Sequence, residues 1–330
     1  MRYGVYVRLL SGLYRSAGKL FLTLALLLGG CATHLEPRSL PESRSLPRDP
    51  VSDAWQPLRD NLPGGEQTSW FDVQDIGPEA LRWRLAMMDT VTTSLDAQYF
   101  IWKDDAVGSL LLERMLQAAD RGVRVRLLLD DSFLSGEDDL MLAVDAHPGV
   151  EMRIFNPFEV RSNSMLLRYV ENLNDNERIN HRMHNKLLIA DSEVAIIGGR
   201  NIADEYFGFD QELNLRTFDV LTTGRVLPQI TASFDSYWNS GWAWPVSIVD
   251  RQQGGREDLD RLRNRLRGNA AVLDRWLAGA DVAPDGLPAR WAGLARRLLP
   301  GAAQLQQDDP HIEAGLPVQA ANHAVGYFSR

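Results

Sequence analysis

The chain has 330 residues, 45% hydrophobic and 24% charged, which excludes a disordered, fibrous or multi-span membrane protein and allows one large domain or two ordinary ones. The formal net charge is −9, and the first 30 residues hold four bases and no acid; the rest carries 31 basic against 44 acidic residues, a net −13, which repels polyanions and argues against nucleic-acid binding. The single cysteine, Cys31, excludes an internal disulfide and a cysteine-rich metal site.

Residues 1–19 are basic, Leu20 to Leu28 form an apolar run broken only by Thr23, and Gly29-Gly30-Cys31 follow. So short a run cannot cross a hydrocarbon core that needs about 20 residues, so 1–30 reads as a secretory signal peptide. Leu28-Gly29-Gly30-Cys31 also resembles the lipobox of bacterial lipoproteins. That resemblance implies an acylated Cys31 and a lipid-anchored, periplasm-facing place in the cell envelope; Ala32 at the next position points to the outer membrane. Residues 31–52 then read as a lipid-anchored flexible tether. Pro37, Pro41, Pro47 and Pro50 cannot continue a helix or a central strand, which predicts an extended, solvated spacer.

From residue 53 to 250 the chain alternates strand and helix. Leu95 to Ile101 is a strand; Leu111, Met115 and Ala118 lie at helical spacing on a helix ending near Gly122; Val123 to Leu129 is a buried strand closing on Asp130 and Asp131. A helix over 138–146 and a strand over 150–155 repeat the unit. The rhythm predicts an α/β fold, a sheet flanked by helices on both faces. Residues 156–182 lack clear periodicity and read as a surface excursion. Strands over 183–190 and 194–197 follow, separated by Asp191-Ser192-Glu193, then a strand over 217–221 and an amphipathic helix through Phe234 and Trp238. Residues 251–330 read as a helical extension, with Leu259, Leu262 and Leu266 as an apolar stripe, and an unstructured tail from Gly301.

The chemistry lies within 178–205. His184-Asn185-Lys186 precedes Asp191 and Gly198-Gly199-Arg200-Asn201. In a strand, His184 and Lys186 share a face about 7 Å apart, joining an imidazole that can attack to an ammonium that can neutralise an anion. Gly198 and Gly199 permit close backbone approach, and Asn201 can donate to an oxyanion. This arrangement suits phosphoryl chemistry, which is mostly positioning and charge stabilisation. Only Lys19, Lys103 and Lys186 are lysines, so one of the few sits beside the histidine. Metal-ligand spacing is absent, and no metal or cofactor is expected. Trp238, Trp242 and Trp244 read as packing residues rather than headgroup contacts.

His184-x-Lys186-x4-Asp191-x6-Gly198-Gly199-x-Asn201 resembles the phosphodiesterase motif of the phospholipase D superfamily. The strings Met183-His184-Asn185-Lys186 and Gly198-Gly199-Arg200-Asn201-Ile202-Ala203-Asp204-Glu205-Tyr206-Phe207 are similar to those of bacterial C-type cardiolipin synthases. The resemblance, over roughly residues 55–250, implies a mixed phospholipase D-like sheet and phosphatidyl transfer without a metal. His184 would form a phosphohistidine, Lys186 and Asn201 would hold phosphate oxygens from beside the Gly198-Gly199 turn, and Asp191, in the catalytic motif, would orient its residues. Glu212, 28 residues past His184, is either an acid beside the site or a solvent-facing glutamate. The implied substrate is phosphatidylglycerol or phosphatidylethanolamine. Alternatives are a secreted phospholipase D-type phosphodiesterase, hydrolysing lipid or nucleic acid, and a catalytically silent envelope lipoprotein. Two-motif members carry a second His-x-Lys, which this chain lacks: Glu313 follows His311 and Val325 follows His323 at the second position, and no lysine follows Lys186. The expectation is a half-enzyme cut short, with a homodimer as the alternative.

Overall fold

The computed structural model describes residues 36–63, 68–134, 136–250, 254–279 and 286–310. The signal segment, Cys31 and residues 311–330 lie outside the described residues.

Within them, nine strands form one mixed sheet: β1 (Ser69–Gln74), β2 (Ser94–Tyr99), β3 (Arg124–Asp130), β4 (Val150–Phe155), β5 (Lys186–Ala190), β6 (Val194–Gly198), β7 (Asp219–Gly224), β8 (Ala243–Pro245) and β9 (Leu299–Gly301). Their spatial order is β8-β4-β3-β2-β5-β6-β7-β1-β9. β2, β3 and β4 are parallel because each pair is joined by a crossover helix. Those helices and their neighbours are α1 (Gly77–Thr90), α2 (Ala106–Asp120), α3 (Asp138–Asp145), α4 (Met165–Glu171), α5 (Leu227–Trp238), α6 (Arg256–Ala270) and α7 (Leu287–Ala295). β5 and β6 are antiparallel because a short turn joins them, with Asp191 and Ser192 left-handed at φ 51° and 50°.

Alternation along β3 divides the molecule into layers. Val125, Leu127 and Leu129 join a buried cluster with Leu81, Leu111 and Leu262 from α1, α2 and α6. Arg126 faces the other way, beneath Phe234, Asp235 and Trp238 of α5. The Asp105 carboxylate opens α2 by accepting the Gly108 N–H at 2.9 Å, and left-handed Gly122 (φ 93°) ends it, where the sequence places the stop. Leu259, Leu262 and Leu266 are buried along α6, as their spacing predicts.

β1 and α1 precede the first strand read from the sequence. α1 buries residues on nearly every side and lacks the one-sided stripe by which a helix is recognised. β1 forms its ladders with β7 and β9, both distant in sequence.

Residues 36–50 correct the expectation of a free tether. They are extended, but docked. The Arg38 N–H donates to the Gly241 carbonyl (2.8 Å), Ser43 N–H to Asn239 Oδ1 (2.9 Å) and Ser45 N–H to the Asp235 carboxylate (2.9 Å). Buried Arg126 donates to the Ser43 carbonyl at 2.8 Å and to Ser45 Oγ at 2.9 Å. Proline prevents a regular helix or central strand, yet leaves carbonyls and serines free to satisfy a buried guanidinium. The tail differs likewise: after β9, Leu305 N–H donates to Gln229 Oε1 (3.0 Å) and Gln307 Nε2 to Ser236 Oγ (3.2 Å), so residues 302–310 lie along α5.

Candidate active site

β2, β3 and β4 end, and β5 begins, at one end of the sheet, where Tyr99 pairs with Lys186. His184 lies just before β5 rather than within it. Its imidazole is exposed and its ring centre is 4.8 Å from that of Phe100. Lys186 is buried, its Nζ 5.1 Å from the centre of the same ring and 2.6 Å from the His184 carbonyl oxygen, to which it donates. The two residues therefore meet on Phe100, although strand alternation is not what aligns them. Burial pushes the Lys186 ammonium down to about 8, against the opposing pull of the Asp130 carboxylate.

Asp130 holds the approach to His184. Buried at the end of β3, it accepts the Met183 N–H at 2.9 Å and the Ser132 N–H at 2.9 Å, and Arg182 lies 3.3 Å away. Burial raises its pKa and the Arg182 charge opposes the rise. Asp130 both caps the short turn that follows β3 and positions Met183-His184. Asn201 reaches the same end. Its Oδ1 accepts the Ile101 N–H at 3.1 Å, next to Phe100, and its Nδ2 donates to Tyr206 Oη at 2.9 Å, leaving a second amide hydrogen for an anion.

The expected role of Gly198 and Gly199 changes, Asp191 lies apart from His184, and Glu212 takes the solvent-facing of its two alternatives. A Cβ on Gly198 would lie 2.3 Å from Asp219 Oδ1, and one on Gly199 2.1 Å from Thr217 Oγ1. These glycines are required by the approach of the chain entering β7, and the Gly199 N–H is already given to the Phe218 carbonyl at 3.0 Å, so they do not serve as a phosphate cradle. Asp191 sits at the opposite end of β5 from Lys186, outside the catalytic cluster. Its carboxylate accepts Trp55 Nε1 (2.8 Å) and the backbone N–H groups of Thr92 (2.9 Å), Thr93 (2.8 Å) and Ser94 (2.9 Å). Burial would raise its pKa, but these hydrogen bonds outweigh burial and hold it below the usual carboxylate range. Glu212 is exposed in the loop before β7, its amide held by Asp210 at 2.8 Å, and the structure does not bring it to the site.

His184, Lys186 and Asn201 thus converge, whereas Asp191, Gly198, Gly199 and Glu212 do not touch substrate space. Phe100 and Asp130 were not assigned by sequence; the signal available was their position at the ends of the two strands read there. A cleft of about 910 Å³ opens at the far end of the sheet, between residues 42–48, the Ser192-Glu193 turn and α5, away from His184. Among the described residues no group of three or more His, Cys, Asp or Glu side chains could hold a metal, and no helix is long and apolar enough to cross a membrane. Trp238, Trp242 and Trp244 are buried, as packing residues.

Residues 85–238 match the family model described as the phospholipase D-like domain of cardiolipin synthase. The chain is similar to cardiolipin synthase C of Escherichia coli (strain K12), 38% identical over 79% of this chain and 53% of that protein. It is 40% identical to an uncharacterised protein of Helicobacter pylori (strain J99) over 68% of this chain and 43% of the relative. A cardiolipin synthase of Clostridium perfringens (strain SM101) matches at 33% identity over 43% of this chain and 27% of its own length. The chain therefore spans about half the length, or less, of these relatives.

Proposed function

We propose, from the match of residues 85–238 to the phospholipase D-like domain of cardiolipin synthase, that the protein transfers phosphatidyl groups between alcohols, as a cardiolipin synthase does. What supports this most directly is the exposed imidazole of His184 held with the buried ammonium of Lys186 on the Phe100 ring. An imidazole nitrogen of His184 attacks the phosphorus of phosphatidylglycerol; the N–P bond forms as the P–O bond to the departing glycerol breaks, giving a phosphohistidine. Lys186 and the spare Asn201 N–H stabilise the non-bridging oxygens. A second alcohol, the free hydroxyl of another phosphatidylglycerol, then attacks phosphorus and releases His184, making cardiolipin. Water in its place would give phosphatidic acid.

The departing alkoxide needs a proton, and the chain has only one His-x-Lys. A second such pair, from another copy or a companion segment, completes the reaction. Acylation of Cys31 would hold the protein on the envelope membrane, and fatty-acid labelling of the wild type but not of Cys31→Ser tests that address. The activity is tested with labelled phosphatidylglycerol vesicles, with and without phosphatidylethanolamine. Labelled cardiolipin from wild type and none from His184→Ala is the expected result; labelled phosphatidic acid alone would replace transfer with hydrolysis. No product from a folded wild type at any concentration would remove the activity from this chain.

A further inference from the structure

α4 is built inside out. Arg168 in its middle is buried and donates to Asp131 Oδ1 at 3.0 Å, and Asn172 just beyond its end is buried and accepts the Glu159 N–H at 3.0 Å. Leu166 and Val170 share a face of the helix yet are 74% and 53% exposed, with Leu167 beside them at 52% and Leu173, just past the helix, at 61%. A helix packed on a soluble protein ordinarily turns its leucines inward. Phe133 continues this surface: it lies two residues past Asp131, is 47% exposed, and its ring centre is 5.2 Å from that of Phe100, which in turn contacts His184. The exposed apolar side chains thus lead from α4 to the candidate nucleophile.

We propose that α4 and Phe133 form a rim that docks on the surface of a phospholipid bilayer. The chain outside the described residues identifies the occupant. Arg38 binds Gly241, just ahead of β8, and Ala243 of β8 pairs with Phe155 at the end of β4, so residues 36–38 emerge at the end of the sheet that carries His184. Cys31 lies five residues before Glu36, a reach of at most about 18 Å. An acyl chain on Cys31 brings this end of the sheet to the bilayer, where exposed leucines gain the burial that the fold denies them. The proposal rests on the phospholipid-transfer reading and on acylation of Cys31.

The test uses the acylated full chain, whose single native cysteine is blocked by the lipid, with an environment-sensitive fluorophore on Leu166→Cys or, as a control at the other end of the sheet, on Val51→Cys (wild-type residue 81% exposed). Adding vesicles of phosphatidylglycerol and phosphatidylethanolamine should shift emission at position 166 to the blue and leave position 51 unchanged. Leu167→Asp with Val170→Asp should weaken partition at least about tenfold, with an unchanged unfolding midpoint because both residues are exposed. Absence of the shift at 166 overturns the proposal. So does a shift that follows protein concentration without vesicles, which would make a second copy the occupant. Docking that persists in His184→Ala without any transfer product from the wild type would sink the enzymatic reading alone; transfer without a shift at 166 would sink the docking alone.

Discussion

Lys186 holds a positive charge where burial makes charge costly, and its carbonyl partner at His184 returns only one hydrogen bond. Its pKa, lowered to about 8, sets a limit on phosphate binding: kcat/KM of the free enzyme should fall as pH rises past about 8, and an active Lys186→Arg should lack that limb. The stability consequence has the opposite sign. Below about 8 the lysine is protonated in both states and burial penalises the fold; between about 8 and its ordinary 10.5 only the unfolded chain keeps the proton, so stability rises with pH through that window. Lys186→Met should therefore abolish transfer while raising the thermal midpoint at pH 7 by about 2–4 °C, measurable by calorimetry. Asp191 behaves as the mirror case. Its depressed pKa contributes stability that is present above the ordinary carboxylate value and lost as pH falls through the lower folded value. Asp191→Ala would strand Trp55 and three backbone donors, costing about 3 kcal/mol or more in denaturant titration, with the larger effect at neutral pH than in acid.

At the scale of elements, two junctions carry the architecture around the site. The first is the docked segment 36–50. Arg126 satisfies Asp96 and Asp235 within the sheet and helix, but its remaining hydrogen bonds go to Ser43 and Ser45. Removing residues before 50 leaves a buried guanidinium short of acceptors, so the truncated chain should unfold at a lower denaturant concentration than the full chain. Limited trypsin digestion gives a second check: cleavage after Arg38, Arg44 or Arg48 should be slow in the folded protein, whereas a free tether would be cut at once. The second junction is β6–β7. Gly199→Ala would press a methyl group into the Thr217 hydroxyl and displace the turn that leads to Asn201, so it should lower kcat while phosphate oxygens never meet that glycine.

Across the whole molecule, charge is handled by arginine buried in shared pairs: Arg84 and Arg200 on Asp219, Arg161 and Arg168 on Asp131, Arg126 on Asp96 and Asp235. A planar guanidinium can bridge several carboxylates and carbonyls, as a lysine cannot, which accounts for a chain with only three lysines. It also leaves Lys186 conspicuous as a compact cation in the site. With one His-x-Lys pair per chain, a complete site assembled from two copies would show specific activity rising with protein concentration in the dilute range. Inactive His184→Ala added to the wild type should then lower activity below simple dilution; strict proportionality to wild-type protein would exclude that assembly.

The sequence by itself picked out the candidate nucleophile, its cation and the strand–helix rhythm around them, because His184, Lys186 and Asn201 lie within 18 residues and the helix α6 carries a one-sided stripe. It could not determine what depends on contacts between distant residues. α1 is buried nearly all round, β1 pairs with strands far along the chain, and residues 36–50 are ordered by an arginine more than 80 positions away. For the same reason only the tertiary structure separated the members of one motif. The length of β5 carries Asp191 to the far end of the sheet, where it accepts backbone hydrogen bonds, and leaves Lys186 beside His184, where it can meet an anion.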